Sequence, residues 1–275
     1  MEGARIERVV ARRPDLRFPF PPDFSGRLEG QIVRALTRRA KYLAAELSSG
    51  DVLLMHLGMS GSFRVLTDEG ATVPGDFHHV RSAIGLHDHV IFLMSSGVTV
   101  VFNDPRRFGF MKILSPDAFA NDPTLRALGP EPLGRAFGGD VLARALKGKK
   151  TSLKAALSDQ RVVAGLGNIY VCEALHRARL SPKRRASTLA TATGAARPAA
   201  QDLAQAIQAV LKEAIERAAR YRTRGRANSG SAYAEDRFRV YDREGRRCQR
   251  RGCSGTIARI VQAGRSTFFC PVCQR

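Results

Sequence analysis

No stretch of this chain is apolar for long enough to cross a membrane, and none is both amphipathic and lysine-rich enough to favour lying on one. No signal peptide opens it, so an oxidising compartment is not expected. Acidic residues are in short supply: 25 Asp and Glu face 45 Lys and Arg, leaving a formal charge of +20. Apolar side chains are not short, at 44% of 275 residues, so the chain reads as two or three globular domains and not as a basic tail. A folded surface of that sign attracts polyphosphate, with an affinity that should fall steeply with salt. Nucleic acid is the expected partner.

Cysteine is scarce too, five in all, yet four of them fall in the final stretch CQRRGCSGTIARIVQAGRSTFFCPVCQR. Cys248 and Cys253 form a C-x4-C pair, and Cys270 and Cys273 a C-x2-C pair. Two such pairs on tight turns, separated by a hairpin-length insert, suit one structural Zn2+ held by four thiolates. The competing arrangement is two disulfides, which belongs to a secreted domain. The insert reads as strands at 256–261 and 266–269 with a turn at 262–265. Arg259 and Arg265 project from that small ribbon, where a fixed arginine is placed to meet a nucleic-acid backbone.

From the start, an alternating run at 5–10 reads as a strand, and prolines between Pro14 and Pro22 mark an irregular segment. Short apolar runs bounded by Gly, Ser and Asp follow from 30 to 66, at 90–94, at 98–102 and at 110–114. They predict a β-sandwich over residues 1–115. Three polar motifs interrupt these strands. TRRAKYL carries Lys41, HLGMSG carries His56 and Met59, and NDPRRFG carries Arg106 and Phe108. Singly, each could be a solvated cation, a hydrogen-bonded core histidine or ordinary packing. Together they put cations and apolar wedges on several loops of one domain, the means by which proteins open and kink a duplex.

Residues 116–139, with LGPEPLG, read as a hinge, and residues 140–222 as a helical domain. In it, KGKKTSLKAALSD gives a helix with an apolar face beginning at the lysines. In RVVAGLGNIYVCEAL, Asn168 reads as an N-cap beside two glycines, suited to a phosphate or simply to a helical corner. Cys172 reads as core. Residues 187–198 read as a loop. Leu203, Ile207, Val210, Leu211 and Ile215 form an amphipathic stripe. The basic, small-residue stretch 217–231 reads as a mobile loop, placed at 223–236 before a ribbon at 237–275.

In order, TRRAKYL, HLGMSG, NDPRRFG, RVVAGLGNIYVCEAL and GRSTFFCPVCQR resemble the formamidopyrimidine-DNA glycosylase family of base-excision repair, over nearly the whole chain. The resemblance implies an α+β protein: an N-terminal β-sandwich, a helix–two-turn–helix domain and a zinc ribbon. It implies a bifunctional glycosylase and lyase that removes oxidised purines such as 8-oxoguanine or formamidopyrimidines and nicks the strand by β- and δ-elimination. The expected partner is double-stranded DNA with an oxidised purine or abasic site. The protein is expected to be a monomer in the bacterial cytosol, at the nucleoid, away from membranes. By the same resemblance Lys41 and Arg265 are catalytic, Lys41 as a proton donor in β-elimination and Arg265 in δ-elimination and in gripping the phosphates that flank the lesion. His56, His87, Lys149 and Asn168 contact DNA, and Lys154 lies near the lesion pocket. Met59, Arg106 and Phe108 fill the hole left by the flipped base, with Arg106 facing the orphaned cytosine.

The family opens on Pro-Glu, with proline as nucleophile and glutamate as acid, and neither stands in that place here. Glu2 aligns with a later part of the pattern, which the chain joins after the first helix. Two expectations follow: an enzyme whose initiating methionine has been assigned internally, or a damage- or abasic-site-binding protein without the chemistry.

Overall fold

A computed structural model describes residues 1–68, 70–72, 85–223 and 238–275. The chain divides into two compact units, the first built on Met1–Arg126 with the short stretch from Arg217, the second on Ala127–Glu216 together with the C-terminal residues. Among the described residues no helix is long and apolar enough to cross a membrane.

The first unit is the expected sandwich. Its strands are β1 (Ile6–Ala11), β2 (Val33–Arg39), β3 (Tyr42–Leu47), β4 (Val52–His56), β5 (Ser62–Thr67), β6 (Gly70–Thr72), β7 (Asp88–Met94), β8 (Thr99–Asn103) and β9 (Phe110–Leu114). They form two antiparallel sheets, ordered β1-β7-β8-β5-β6 and β2-β3-β4-β9. Alternating side chains such as Val9, Val33, Leu53, Phe92 and Phe102 meet between them, as period-two patterning requires. One helix, α1 (Phe24–Leu28), closes the core with its two buried residues, Phe24 and Leu28.

Topology brings two loops together. β4 ends at His56 opposite Phe110, where β9 begins, and β5 begins at Ser62 opposite Asn103, where β8 ends. The chain therefore crosses between the sheets through residues 57–61 and crosses back through residues 104–109, at the same end of the sandwich.

Residues 116–139 hold more structure than a hinge. They include α2 (Pro116–Ala120), capped by the Ser115 hydroxyl accepting from Ala118 N, and α3 (Pro123–Arg126). Gly129 lies tightly against the Arg161 carbonyl, and Phe137 is buried in the helical core. The Pro and Gly residues read as breakers are packing residues here.

The second unit contains α4 (Gly139–Leu146), α5 (Leu153–Ser158), α6 (Asn168–Arg177), most of α7 (Pro198–Thr223) and the ribbon strands β10 (Ala258–Gln262) and β11 (Arg265–Phe269). Its core gathers Leu142, Leu157, Leu166, Leu175, Leu203 and Ile207. Five local expectations are corrected. The helix expected from Lys147 starts at Leu153, because Ser152 caps it by accepting from Ala155 N. The cap of α6 is Gly167, and Asn168 is the first helical residue. Helix α7 continues through the basic run to Thr223, where alanines and arginines are good helix formers. The rest of the expected mobile loop lies outside the described residues. In that helix Leu203, Ile207 and Val210 are buried, but Ile215 is 56% exposed, so the stripe ends one turn early. At the ribbon tip the turn is Ala263-Gly264, and Arg265 already pairs with Gln262 as the first residue of β11.

Candidate nucleic-acid interface and metal centre

The paired loops carry three of the expected DNA-contacting residues to one place. Met59 is 60% exposed and Phe108 41% exposed, unusual for large apolar side chains in a chain with ample core. The Arg106 guanidinium lies 4.7 Å over the Phe108 ring, a cation–π contact that gives the pair a shared orientation. Gly58 makes the approach possible. A Cβ there would come 2.4 Å from the Phe108 carbonyl carbon, and its φ of +64° suits glycine.

Lys41 stands exposed at the β2–β3 turn, next to Ala40 with its positive φ. Tyr42 pairs with His56 across β3 and β4, which brings the lysine near the imidazole. The His56 ring stacks on Phe110 at 5.3 Å, and its Nδ1 accepts from Gly58 N at 2.9 Å. That bond leaves the ring proton on Nε2, ready to donate. Burial, then the Lys41 and Arg17 cations, hold the His56 pKa below its ordinary value, so the ring is a neutral donor at pH 7. His87, half-buried, precedes β7, and its carbonyl accepts from Asp104 N at 3.0 Å.

In the second unit Lys149 is half-buried in the turn between α4 and α5. Asn168 Nδ2 donates to the Ser266 carbonyl at 2.9 Å, tying the start of α6 to the ribbon. Lys154 is not at a surface. It is fully buried, and its Nζ donates to the Gln262 carbonyl at 3.2 Å. Burial first, then Arg265, lowers its pKa, with Cys172 opposing. Arg265 itself is exposed at the ribbon tip.

The four ribbon cysteines converge as their spacing predicts. All four sulfurs lie within 4.8 Å of one another, with Cys253–Cys270 at 3.6 Å and Cys248–Cys273 at 3.9 Å. Tetrahedral zinc with bonds of about 2.3 Å requires sulfurs about 3.8 Å apart, so the set fits the ion. No disulfide joins them. Burial and the adjacent sulfurs push the Cys273 thiol up to about 12, crowding that a divalent cation reverses by binding thiolates. His176 Nε2 lies 3.4 Å from Cys248 Sγ, where an N–H can steady a ligand sulfur.

Three family models match along the chain. The formamidopyrimidine-DNA glycosylase N-terminal domain covers residues 1–111, the H2TH domain of the same enzyme 128–224, and the zinc finger found in FPG and IleRS 245–275. The chain belongs to the formamidopyrimidine-DNA glycosylase family. It is 62% identical over 276 residues to the formamidopyrimidine-DNA glycosylase of Rhodopseudomonas palustris strain BisA53, and 60% identical over 275 residues to that of Nitrobacter winogradskyi. Each alignment covers 100% of this chain and 94% of the relative. The Lactococcus lactis enzyme, solved non-covalently bound to DNA containing an AP site, superposes with a TM-score of 0.77 at 28% identity, covering 100% of this chain and 94% of that one. A mutant of that enzyme, in complex with DNA containing Fapy-dG, matches with a TM-score of 0.77 at 27% identity, covering 100% of this chain and 93% of that one. The chain is thus a base-excision repair enzyme, a DNA glycosylase and lyase with a structural zinc, and the reading without chemistry is not favoured.

Three supporting residues escaped the sequence reading. Ser60 and Asp104 hold the wedge loops together, and their motifs drew attention only to the larger neighbours. Glu173 is buried on α6, where its carboxylate accepts from the backbone N–H of Arg239, Val240 and Tyr241 at 2.9–3.0 Å. The signal was a lone acid in the apolar run IYVCEAL.

Proposed function

We propose that this glycosylase acts on double-stranded DNA carrying an oxidised purine or an abasic site, and that its exposed residues divide into grippers and gap-fillers. Lys41 and Arg265 are the catalytic cations, the first a proton donor in β-elimination beside the scissile phosphate, the second serving δ-elimination and gripping the flanking phosphates. His56 donates from Nε2 to a phosphate oxygen, and His87, Lys149 and Asn168 add backbone contacts. Lys154 acts from behind, through the Gln262 carbonyl. Cys248, Cys253, Cys270 and Cys273 hold one zinc, which supplies folding energy to the ribbon and no chemistry. Met59, Arg106 and Phe108 occupy the space vacated by the flipped base, with Arg106 towards the orphaned cytosine. The protein works as a monomer in the bacterial cytosol, at the nucleoid.

The observation that carries this reading is the exposure of Met59 and Phe108 beside Arg106 on two abutting loops. Unstacking a base costs a few kcal/mol, and apolar side chains that refill the stack offset much of it. The test separates charge from wedge. Arg265→Ala should weaken binding to any duplex and reduce the slope of log affinity against log salt by about one, as loss of one phosphate contact requires. Phe108→Ala should leave that slope alone and lower the preference for abasic over undamaged DNA. Equal slopes for Arg265→Ala and the parent would count against the gripping role.

A further inference from the structure

We infer that Asp104 is a positioning residue whose carboxylate couples the two wedge loops, so that Met59 and Phe108 enter DNA as one rigid piece. The inference rests on the gap-filling reading of those two side chains and adds the group that sets their relation. Asp104 is 0% exposed, although the four residues after it are exposed. A carboxylate out of water is expensive unless hydrogen bonds satisfy its oxygens. Here Oδ1 accepts from Ser60 Oγ at 2.5 Å and from Arg106 N at 3.3 Å, and Oδ2 accepts from Gly109 N at 2.8 Å. These donors are neutral and come from both loops. Arg106 N is shared with Ser60 Oγ at 3.2 Å, which closes a small network around the hydroxyl.

The backbone of Asp104 fixes the rest. Its carbonyl accepts from Arg107 N at 3.2 Å, closing the Asp-Pro-Arg-Arg turn, and lies 2.9 Å from His89 Nε2. Proline after the aspartate presets φ for that turn. At the tip, Gly58 abuts the Phe108 backbone with no side chain between. The two loops are thus joined twice, through the carboxylate–hydroxyl bond and through the glycine contact. Side chains that must replace a base are effective when their geometry is set before binding, because ordering them on the DNA would consume binding energy.

A simple turn-capping role for Asp104 would also explain its bonds to Arg106 and Gly109, but not the bond to Ser60. Ser60→Ala removes both hydrogen bonds of the Ser60 hydroxyl, to Asp104 and from Arg106 N, and leaves the Asp104 bonds within the turn and the Gly58 contact in place. Asp104→Asn keeps the shape and sets an amide N–H against a donor. Both variants should lower the ratio of abasic to undamaged affinity by roughly tenfold or more, the scale of one hydrogen bond to a charged group, with the salt slope unchanged. Met59→Ala and Phe108→Ala should be non-additive in the parent and additive in the Ser60→Ala background. Retention of the parent ratio and of the non-additivity in Ser60→Ala would overturn the inference. If Asp104→Asn fails to fold, Ser60→Ala decides alone. If Phe108→Ala and Met59→Ala themselves leave the ratio untouched, the gap-filling reading fails and takes this inference with it.

Discussion

The sandwich and the ribbon both present charged or apolar residues from short connections, yet they become rigid by different means. The sandwich packs two sheets face to face, with Phe92, Phe102, Leu53 and Met55 almost wholly buried between them. The ribbon has only two strands, and β10 alternates half-buried and exposed positions with no fully buried residue. A two-stranded hairpin is marginal in water. Its small core of Val240, Ile257 and Phe268 is built around the cysteines themselves and Cys172. Burial stabilises the first region, whereas metal and a few buried polar ties stabilise the second.

The widest separation between them should come from the metal. Purified protein should carry one zinc per chain, and Cys270→Ser or a strong chelator should release it. Structural zinc contributes on the order of 10 kcal/mol to a small domain. DNA binding should be abolished while the β-sheet circular dichroism and cooperative unfolding of the sandwich persist. Metal analysis showing no zinc in protein that still binds DNA tightly would remove the contrast. Phe92→Ala should do the reverse. Deleting that ring should cost about 3–5 kcal/mol and lower the unfolding midpoint, with zinc content unchanged in the protein that remains folded.

Glu173 sharpens the comparison, because it supports the ribbon's leading segment by polar means alone. Its carboxylate satisfies three consecutive backbone donors, at Arg239, Val240 and Tyr241. Glu173→Ala leaves the buried Val240 donor and the part-buried Arg239 and Tyr241 donors without this acceptor and should cost about 1–3 kcal/mol. Hydrogen exchange should quicken at 239–241 and along β10 and β11, and not in the sandwich strands. Protection lost uniformly across the chain would show that α6 itself had failed.

What the sequence revealed follows the same division. The sandwich strands were legible because alternation marks a half-buried strand, and the zinc site because thiolate spacing has few other uses. Helix α4 went unread because a Gly pair opens it and LGPEPLG precedes it, so breaker residues masked an amphipathic VLARAL. The run from Arg217 read as loop because charge and small residues were weighed above helix propensity, which carries α7 to Thr223. Met59, Arg106 and Phe108 stood out through their motifs, but Asp104 and Ser60 did not. Their importance lies in partners more than 40 residues away, which no local pattern displays. Lys154 shows the same limit: SLKAAL gave no sign, beside the expected place near the lesion pocket, that its ammonium is wholly buried.

That lysine offers the smallest effect, and it tests how far polar ties stabilise the ribbon. Lys154 gives one hydrogen bond to the Gln262 carbonyl, while Gln262 Nε2 donates to Pro182 O at 3.3 Å, so the hairpin tip is tied once to α5 and once to the turn after α6. Lys154→Met removes a bond of about 1 kcal/mol but also the desolvation of a buried ammonium, and the two should nearly cancel at pH 7. Their pH dependence differs. The folded-state pKa is lowered by burial, while the unfolded chain keeps the ordinary value of 10.5. Below the folded value both states are protonated and the burial penalty is fully present. As pH rises from there towards 10.5, the unfolded chain binds more proton than the folded one, so the parent gains stability that Lys154→Met cannot. Denaturant unfolding of both proteins between about pH 7 and pH 10 should therefore show a difference that moves steadily in the parent's favour. Taking the difference cancels the thiols and tyrosines that titrate in the same range. A difference constant with pH would mean that the ammonium is well solvated and that the tie to Gln262 is not made by a buried charge.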